Sequence, residues 1–178
     1  MMLYYSDNLI NNIIDSSSDD ELINNVDQFK NDINMLFTYF AYPDISLDYV
    51  NNLLNHKLSK CAFWQADSSV FNIRSCVSAL IYGIYKKECY VMLICTQSEQ
   101  KNKGFATKLL KQFIQDMQGK VNRILLSSVD YAVSYYQKIG FEAIDYDLNN
   151  YPYLRHFEKP SEKKITTIME YVCYNNLQ

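Results

Sequence analysis

The segment Tyr90-Val91-Met92-Leu93-Ile94-Cys95 is apolar on both alternating faces. A strand covered on both sides reads this way, so Cys89–Thr96 is predicted to be such a strand. Two runs before it, Cys61–Ala66 and Val70–Tyr85, are rich in Val, Ile, Phe, Tyr and Cys and also read as strands. Asp67-Ser68-Ser69 is the turn between those two, and Lys86-Lys87-Glu88 separates the second from Cys89–Thr96.

Helical spacing surrounds this block. From Asp20, apolar residues recur at Leu22, Ile23, Val26, Phe29, Ile33, Leu36, Phe37 and Phe40, intervals of three and four that describe one helix face. Ala41-Tyr42-Pro43 stops it, and Ser46 can cap a second helix with Leu47, Val50, Leu53 and Leu54 inward. A later helix runs from Phe105 to about Gln118, buried along Phe105, Ala106, Leu109, Leu110, Phe113, Ile114 and Met117. Then come a strand at Arg123–Ser127, a helix at Asp130–Ile139 closed by Gly140, and a strand at Phe141–Tyr146. Residues 147–163 form a polar loop, and Ile165–Tyr174 is the last strand. Met2–Tyr5 reads as a possible opening strand, with a polar break at Asp15–Asp20. The order predicts an α+β or mixed α/β domain covering all 178 residues, in which residues 1–45 form a helical N-terminal segment.

Composition excludes several classes. The content is 48 % apolar and 21 % charged, as in soluble globular proteins, and the net charge is −3. Bulk electrostatic binding to nucleic acid is not expected. No run approaches the roughly 18 apolar residues of a membrane span. The N-terminus lacks the basic and apolar regions of a signal peptide. The five cysteines, 61, 76, 89, 95 and 173, form no CxxC pair and no cluster with His. They read as buried free thiols of an intracellular, reducing compartment, and no metal site is expected. Charge is also unevenly placed. Residues 1–50 carry nine acidic side chains and one Lys, whereas 100–125 carry six basic ones and one Asp.

The loop Lys101-Asn102-Lys103-Gly104-Phe105-Ala106-Thr107 joins the doubly apolar strand to a helix. Free backbone N–H groups at a helix start, on the positive end of its dipole, suit an anion such as a diphosphate. Gly104, one of only four glycines, allows close backbone approach. Alone, the segment reads equally as a surface turn or a phosphate site; it is neither a P-loop nor a GxGxxG motif.

A second segment, Ala132-x-x-x-Tyr136-x-Lys138-x-Gly140-Phe141, follows at a fixed distance. Together the two resemble the GNAT superfamily of N-acetyltransferases, whose acyl-CoA motif is [Gln/Arg]-x-x-Gly-x-[Gly/Ala], here Lys101, Gly104 and Ala106. The resemblance spans about residues 60–146. It implies a central, twisted, mostly antiparallel sheet of six to seven strands with helices on both faces. Two positions depart from the pattern. Lys101 replaces Arg or Gln, and Val129 stands where an Asn often contacts the cofactor arm.

The resemblance implies acetyl transfer from acetyl-CoA to a primary amine by direct attack in a ternary complex. The alternative is a non-catalytic acyl-CoA-binding or protein-interaction domain of the same fold. The pantetheine arm would lie along Ile94, Cys95 and Thr96, opposite Leu126–Ser128. Backbone amides of Lys101, Asn102, Lys103, Gly104, Phe105, Ala106 and Thr107 would hold the diphosphate. Tyr136 would return a proton to the leaving thiolate, with Tyr135 as the alternative about 100° round the helix. Glu88 and Asp130 are weak candidates for the base, Asp130 reading as a helix cap, and a water chain is expected in their place. His56 and His156 read as non-catalytic. The 147–163 loop, with Tyr151, Tyr153 and Arg155, either borders the acceptor or is plain surface. The expected partner is an amine-bearing small molecule, peptide or protein, and the expected assembly is a monomer or homodimer.

Overall fold

The computed structural model describes residues 2–16, 19–41, 45–66, 70–145, 147, 150–151 and 166–173. Seven strands form one sheet: β1 (Met2–Tyr5), β2 (Ser59–Gln65), β3 (Cys76–Tyr85), β4 (Glu88–Thr96), β5 (Arg123–Val129), β6 (Glu142–Asp145) and β7 (Thr166–Val172). Their order is β1-β2-β3-β4-β5-β7-β6. Every adjacent pair is antiparallel except β4 with β5. The expected mostly antiparallel sheet with helices on both faces is therefore present.

The helices are α1 (Ser6–Ser16), α2 (Asp19–Ala41), α3 (Leu47–Leu54), α4 (Phe105–Met117) and α5 (Asp130–Gln137). One core joins α2 and α3 to Cys61, Phe63, Ala79, Ile81, Tyr90, Leu93 and Leu125, with Leu9 and Ile10 of α1 against it. On the other face, α4 and Phe141 pack on Ala62, Leu80, Tyr82, Cys89, Val91, Ile124, Leu126 and Met169. Strand β4 has buried residues on both sides, as its apolar run requires: Cys89 and Val91 face α4, and Tyr90 and Leu93 face α2. Burying both faces of one strand keeps a large apolar area from water, at about 25 cal/mol per Å².

Local boundaries follow side-chain chemistry. Ser46 caps α3, its Oγ accepting from the Tyr49 N–H at 3.3 Å. Residues 70–85 do not form one strand: Ile73–Ser75 is a 3-10 turn and β3 begins only at Cys76. The Asn72 side chain accepts from the Arg74 N–H at 3.0 Å and sets that turn, an interaction that competes with extended backbone. Helix α5 ends at Gln137, two residues earlier than its apolar spacing predicts. The segment 6–16, placed within the helical N-terminal segment without bounds of its own, is a separate helix. It is held by tertiary contacts: Ser6 Oγ accepts from the Cys61 N–H at 3.0 Å, and Leu9 and Ile10 reach the core. Tyr5 donates to Asp116 of α4 at 2.8 Å, tying β1 to the opposite layer.

At the closed end of the β4–β5 pair, Arg123 bridges two carboxylates. Its Nε donates to Glu88 Oε1 at 2.8 Å and its Nη1 to Glu170 Oε1 at 3.0 Å. These side chains are 30, 24 and 19 % exposed, so the charges are only partly screened. Arg123→Ala would leave two half-buried carboxylates side by side. We expect a stability loss of about 1–3 kcal/mol by urea denaturation, below the fully buried limit because water reaches the cluster.

Candidate active site

Strands β4 and β5 pair only over Glu88–Val91 and Arg123–Leu126. Beyond that point β4 continues to Thr96 and β5 to Val129. Each is held by its outer neighbour: Thr96 still faces Ser78 of β3, and Val129 faces Thr166 of β7. The inner strand edges, Met92–Thr96 and Ser127–Val129, therefore bound a gap with no ladder across it.

The opening has a local cause that the sequence reading missed. Between Ile81 and Tyr82 the β3–β4 register slips by one residue, so that Ile81 faces Leu93 while Tyr82 faces Val91. Met92 is the extra residue of a bulge, which bends β4 and strengthens its twist. Met92 and Leu93 consequently pack on the same side, towards α2. The bulge falls one residue after the last β4–β5 pair. Nothing in Val91-Met92-Leu93 marks it, because all three are apolar and no Gly is present.

Ile94, Cys95 and Thr96 lie on the unpaired edge. The Ser78 hydroxyl donates to the Cys95 carbonyl at 2.8 Å and lies 3.0 Å from Thr96 Oγ1, fixing the strand from its β3 side. The Cys95 thiol is only partly exposed, and burial pushes its pKa up, so it is no nucleophile at neutral pH. All five cysteines are free thiols.

The 97–104 connection then turns into α4. The Lys101 N–H is directed back to Ser98 O at 3.3 Å, so this residue offers its side-chain charge rather than its amide. Asn102 and Gly104 are left-handed, at φ 64° and 78°. Nothing lies within 4 Å of where a Gly104 Cβ would stand. The first bond of α4 runs from the Lys108 N–H to Gly104 O at 3.0 Å. The N–H groups of Phe105, Ala106 and Thr107 precede it and have no acceptor within the helix. The loop is thus an open backbone cradle at the positive end of a 13-residue helix, with Lys101 and Lys103 exposed beside it.

Helix α5 starts directly at the end of β5, at the open end of the gap. Tyr136 belongs to the core on the α4 side, with Val91 and Leu126, the last paired residues. Its ring meets Phe141 edge-on at 5.8 Å and Tyr135 at 5.0 Å. Burial, with the neighbouring Tyr135 and Tyr131 adding to it, pushes the Tyr136 phenol well above its usual range. The helix closes behind it: the N–H groups of Ile139, Gly140 and Phe141 all donate to Tyr136 O, at 3.0, 3.2 and 3.1 Å. Gly140 sits at φ 111°, where a Cβ would stand 3.1 Å from the Tyr171 ring. Phe141, 2 % exposed, anchors the turn.

Other sequence candidates fall away from the gap. Glu88 is at the closed end, engaged by Arg123. Asp130 does not cap α5; Val129 is the N-cap and Asp130 the first helical residue, so that expectation is corrected. The His56 Nδ1 accepts from the Leu58 N–H at 3.2 Å, a turn contact. His156, Tyr153 and Arg155 lie outside the described residues. Among the described residues, no cluster of His, Cys, Asp or Glu could hold a metal ion, and no helix is long and apolar enough to cross a membrane.

The model of the GNAT acetyltransferase domain family matches residues 64–151, from the end of β2 through β6. No curated protein matches the sequence. Several solved structures share the fold. A putative N-acetyltransferase from Lactobacillus plantarum is 11 % identical with TM-score 0.64, over 97 % of this chain and 98 % of that one. The ribosomal-protein-S18-alanine N-acetyltransferase of Escherichia coli is 14 % identical with TM-score 0.55, over 99 % of both. A Bacillus subtilis acetyltransferase, solved in complex with CoA, is 18 % identical with TM-score 0.56, over 79 % of this chain and 93 % of that one. The matched segment contains the bulged strand, the cradle and the Tyr136 helix, and the whole sheet follows the same plan: over residues 64–151 the chain is similar to the GNAT acetyltransferase domain, and it shares the fold of these acetyltransferase structures.

Proposed function

We propose that this protein transfers an acetyl group from acetyl-CoA to a primary amine, by direct attack in a ternary complex. The observation that carries the reading is the β4–β5 gap, which opens beyond Val91 and Leu126 towards the N-terminus of α4. A strand edge without a partner suits an amide-bearing arm. A helix start with a left-handed glycine suits the diphosphate at the arm's other end. Binding of CoA by the Bacillus subtilis structure of the same fold is in keeping with this.

Acetyl-CoA supplies an activated acetyl thioester. The chain's own groups do the rest. Ile94, Cys95 and Thr96 present backbone to the arm. The amides from Asn102 to Thr107, with the charges of Lys101 and Lys103, hold the diphosphate. A backbone N–H near Ile94 polarises the thioester oxygen. Tyr136 keeps its proton at neutral pH and gives it to the departing thiolate. With Glu88 held by Arg123, β4 offers no free carboxylate as base, and the amine's proton leaves through water. The assembly proposed is a monomer or homodimer in a reducing, intracellular compartment.

Thermal shift with CoA, acetyl-CoA and ATP tests the reading. At 100 times Kd, either CoA or acetyl-CoA should raise the melting temperature by about 5–10 °C. Stabilisation by ATP alone would overturn the assignment. Thiol release on mixing acetyl-CoA with a panel of amines then separates an enzyme from a binding domain of the same fold.

A further inference from the structure

On the α2 side of the sheet, α1, α2, α3 and the start of β2 surround a cavity of about 600 Å³. That volume falls within the range of small-molecule sites, about 300–1,000 Å³. Four asparagines line it: Asn31 and Asn34 from α2, Asn51 and Asn55 from α3. Spacings of three and four place each pair on one helix face, with Cβ atoms about 5–6 Å apart. Asparagine is common in this chain, so what distinguishes these four is their convergence on one space.

Their hydrogen-bonding capacity is largely unused. The carboxamides of Asn31, Asn51 and Asn55 bond to no protein group among the described residues, and Asn34 Oδ1 accepts only from Thr38, at 3.5 Å. Unlike a sealed polar atom, they are reachable from solvent: Asn31 and Asn55 are exposed and Asn51 is half-buried. The floor is deep and mixed. Ser6, Ile33 and Cys61 are 6, 6 and 4 % exposed. Ser6 Oγ accepts from the Cys61 N–H at 3.0 Å, which leaves the hydroxyl proton to donate elsewhere. Lys30, the one basic side chain among residues 1–50, lines the rim and pairs with Asp27 at 3.6 Å. Those two charges cancel, and the lining carries no net charge.

The cavity is separate from the cofactor gap. Its β2 residues Ser59 and Cys61 pair with Gly83 and Ile81, so β3 stands between it and β4. One contact crosses over: the Ser59 hydroxyl lies 3.8 Å from the sulfur of Met92, the bulge residue.

We propose that this cavity binds a small, uncharged, hydroxyl-rich molecule of the monosaccharide or cyclic polyol class. A carboxamide donates and accepts at adjacent atoms and cannot ionise, which matches neighbouring hydroxyls. A compact ring with hydroxyls around its rim reaches both asparagine walls at once, whereas an extended peptide would satisfy one. Ile33 at the floor, with Ile10 and Leu54, takes the C–H face of such a ring. The site does not depend on the acetyltransferase reading.

Thermal shift with glucose, galactose, xylose and myo-inositol tests it, with glycine and inorganic phosphate as charged comparators. At ten times Kd, at least one neutral probe should raise the melting temperature by about 3–6 °C and then saturate. General stabilisation by excluded sugars rises steadily with concentration and does not saturate. Asn51→Leu and Asn31→Leu should each weaken the saturable binding about 5–30-fold, the fold-change of one or two lost hydrogen bonds. The ligand-free melting temperature should stay within about 2 °C of the wild type, because neither carboxamide bonds to the protein. Where one variant fails to fold, the other carries the comparison. No saturable response to any neutral probe, a response confined to glycine or phosphate, or one unchanged in the folded variants would overturn the proposal. So would a parallel loss of CoA binding in a folded variant, which would merge the cavity with the gap. Failure of the wild type to bind CoA would overturn the acetyltransferase reading and leave this site standing.

Discussion

Replacing Tyr136 by Phe should lower the turnover number of acetyl transfer by about 10²- to 10⁴-fold, while CoA affinity stays within about twofold. The ring's packing on Phe141 and Tyr135 is apolar and survives the change. Only the proton is removed. The loss should therefore appear in kcat and not in Kd, which stopped-flow thiol release and calorimetry would separate. The pH profile checks the same assignment from another side. A phenol whose pKa is raised by burial stays protonated through neutral and moderately alkaline pH. Activity of the wild type should then show no loss attributable to this group up to about pH 10, the ordinary phenol value. An alkaline limb near pH 8 or 9 would place the acid elsewhere. An unchanged turnover number in the variant would remove Tyr136 from the chemistry altogether.

Gly104→Val should act on binding. At φ 78° a β-branched residue is strained, by about 1–3 kcal/mol, and folding stability should fall by that amount. The space around the new Cβ is open on the protein side, so no clash adds to the strain. If that open space is where the diphosphate lies, the valine methyl groups enter it. Affinity for CoA should then drop about 10–100-fold, more than the strain alone would carry into binding. Stability read by urea denaturation and affinity by calorimetry give the two numbers separately. A variant that is destabilised but binds CoA normally would show the glycine to be a turn residue only, and would move the diphosphate seat off this loop.

Much of the architecture was legible because it rests on local patterns. The doubly apolar run at Tyr90–Cys95 required cover on both sides, and the cores on either face of the sheet provide it. The stripe from Leu109 to Met117 gave α4, and Gly104 marked where it begins. Gly140-Phe141 closed α5 because one needs a positive φ and the other a buried pocket. Less was legible where a contact crosses many residues. Helix α1 has apolar residues at helical spacing, Leu9, Ile10, Ile13 and Ile14, but too few to outweigh its asparagines without the bond from Cys61 to Ser6. The 3-10 turn at Ile73–Ser75 was hidden in a run of strand formers, where a single Asn side chain overrode propensity.

The sequence by itself determined that a covered strand runs into a glycine-bearing loop and a helix start, and that a tyrosine helix follows the next strand. Periodicity and backbone sterics are local, and they settle such features within a few residues. What makes a cleft of them was decided by the tertiary structure alone. Register between β3 and β4 inserts Met92 as a bulge, pairing with β5 stops at Val91, and β3 and β7 hold the parted strands from outside. The same long-range packing assigned Glu88 to Arg123. Hydrogen bonding between distant segments depends on which strands become neighbours, and no local pattern of side chains encodes that choice.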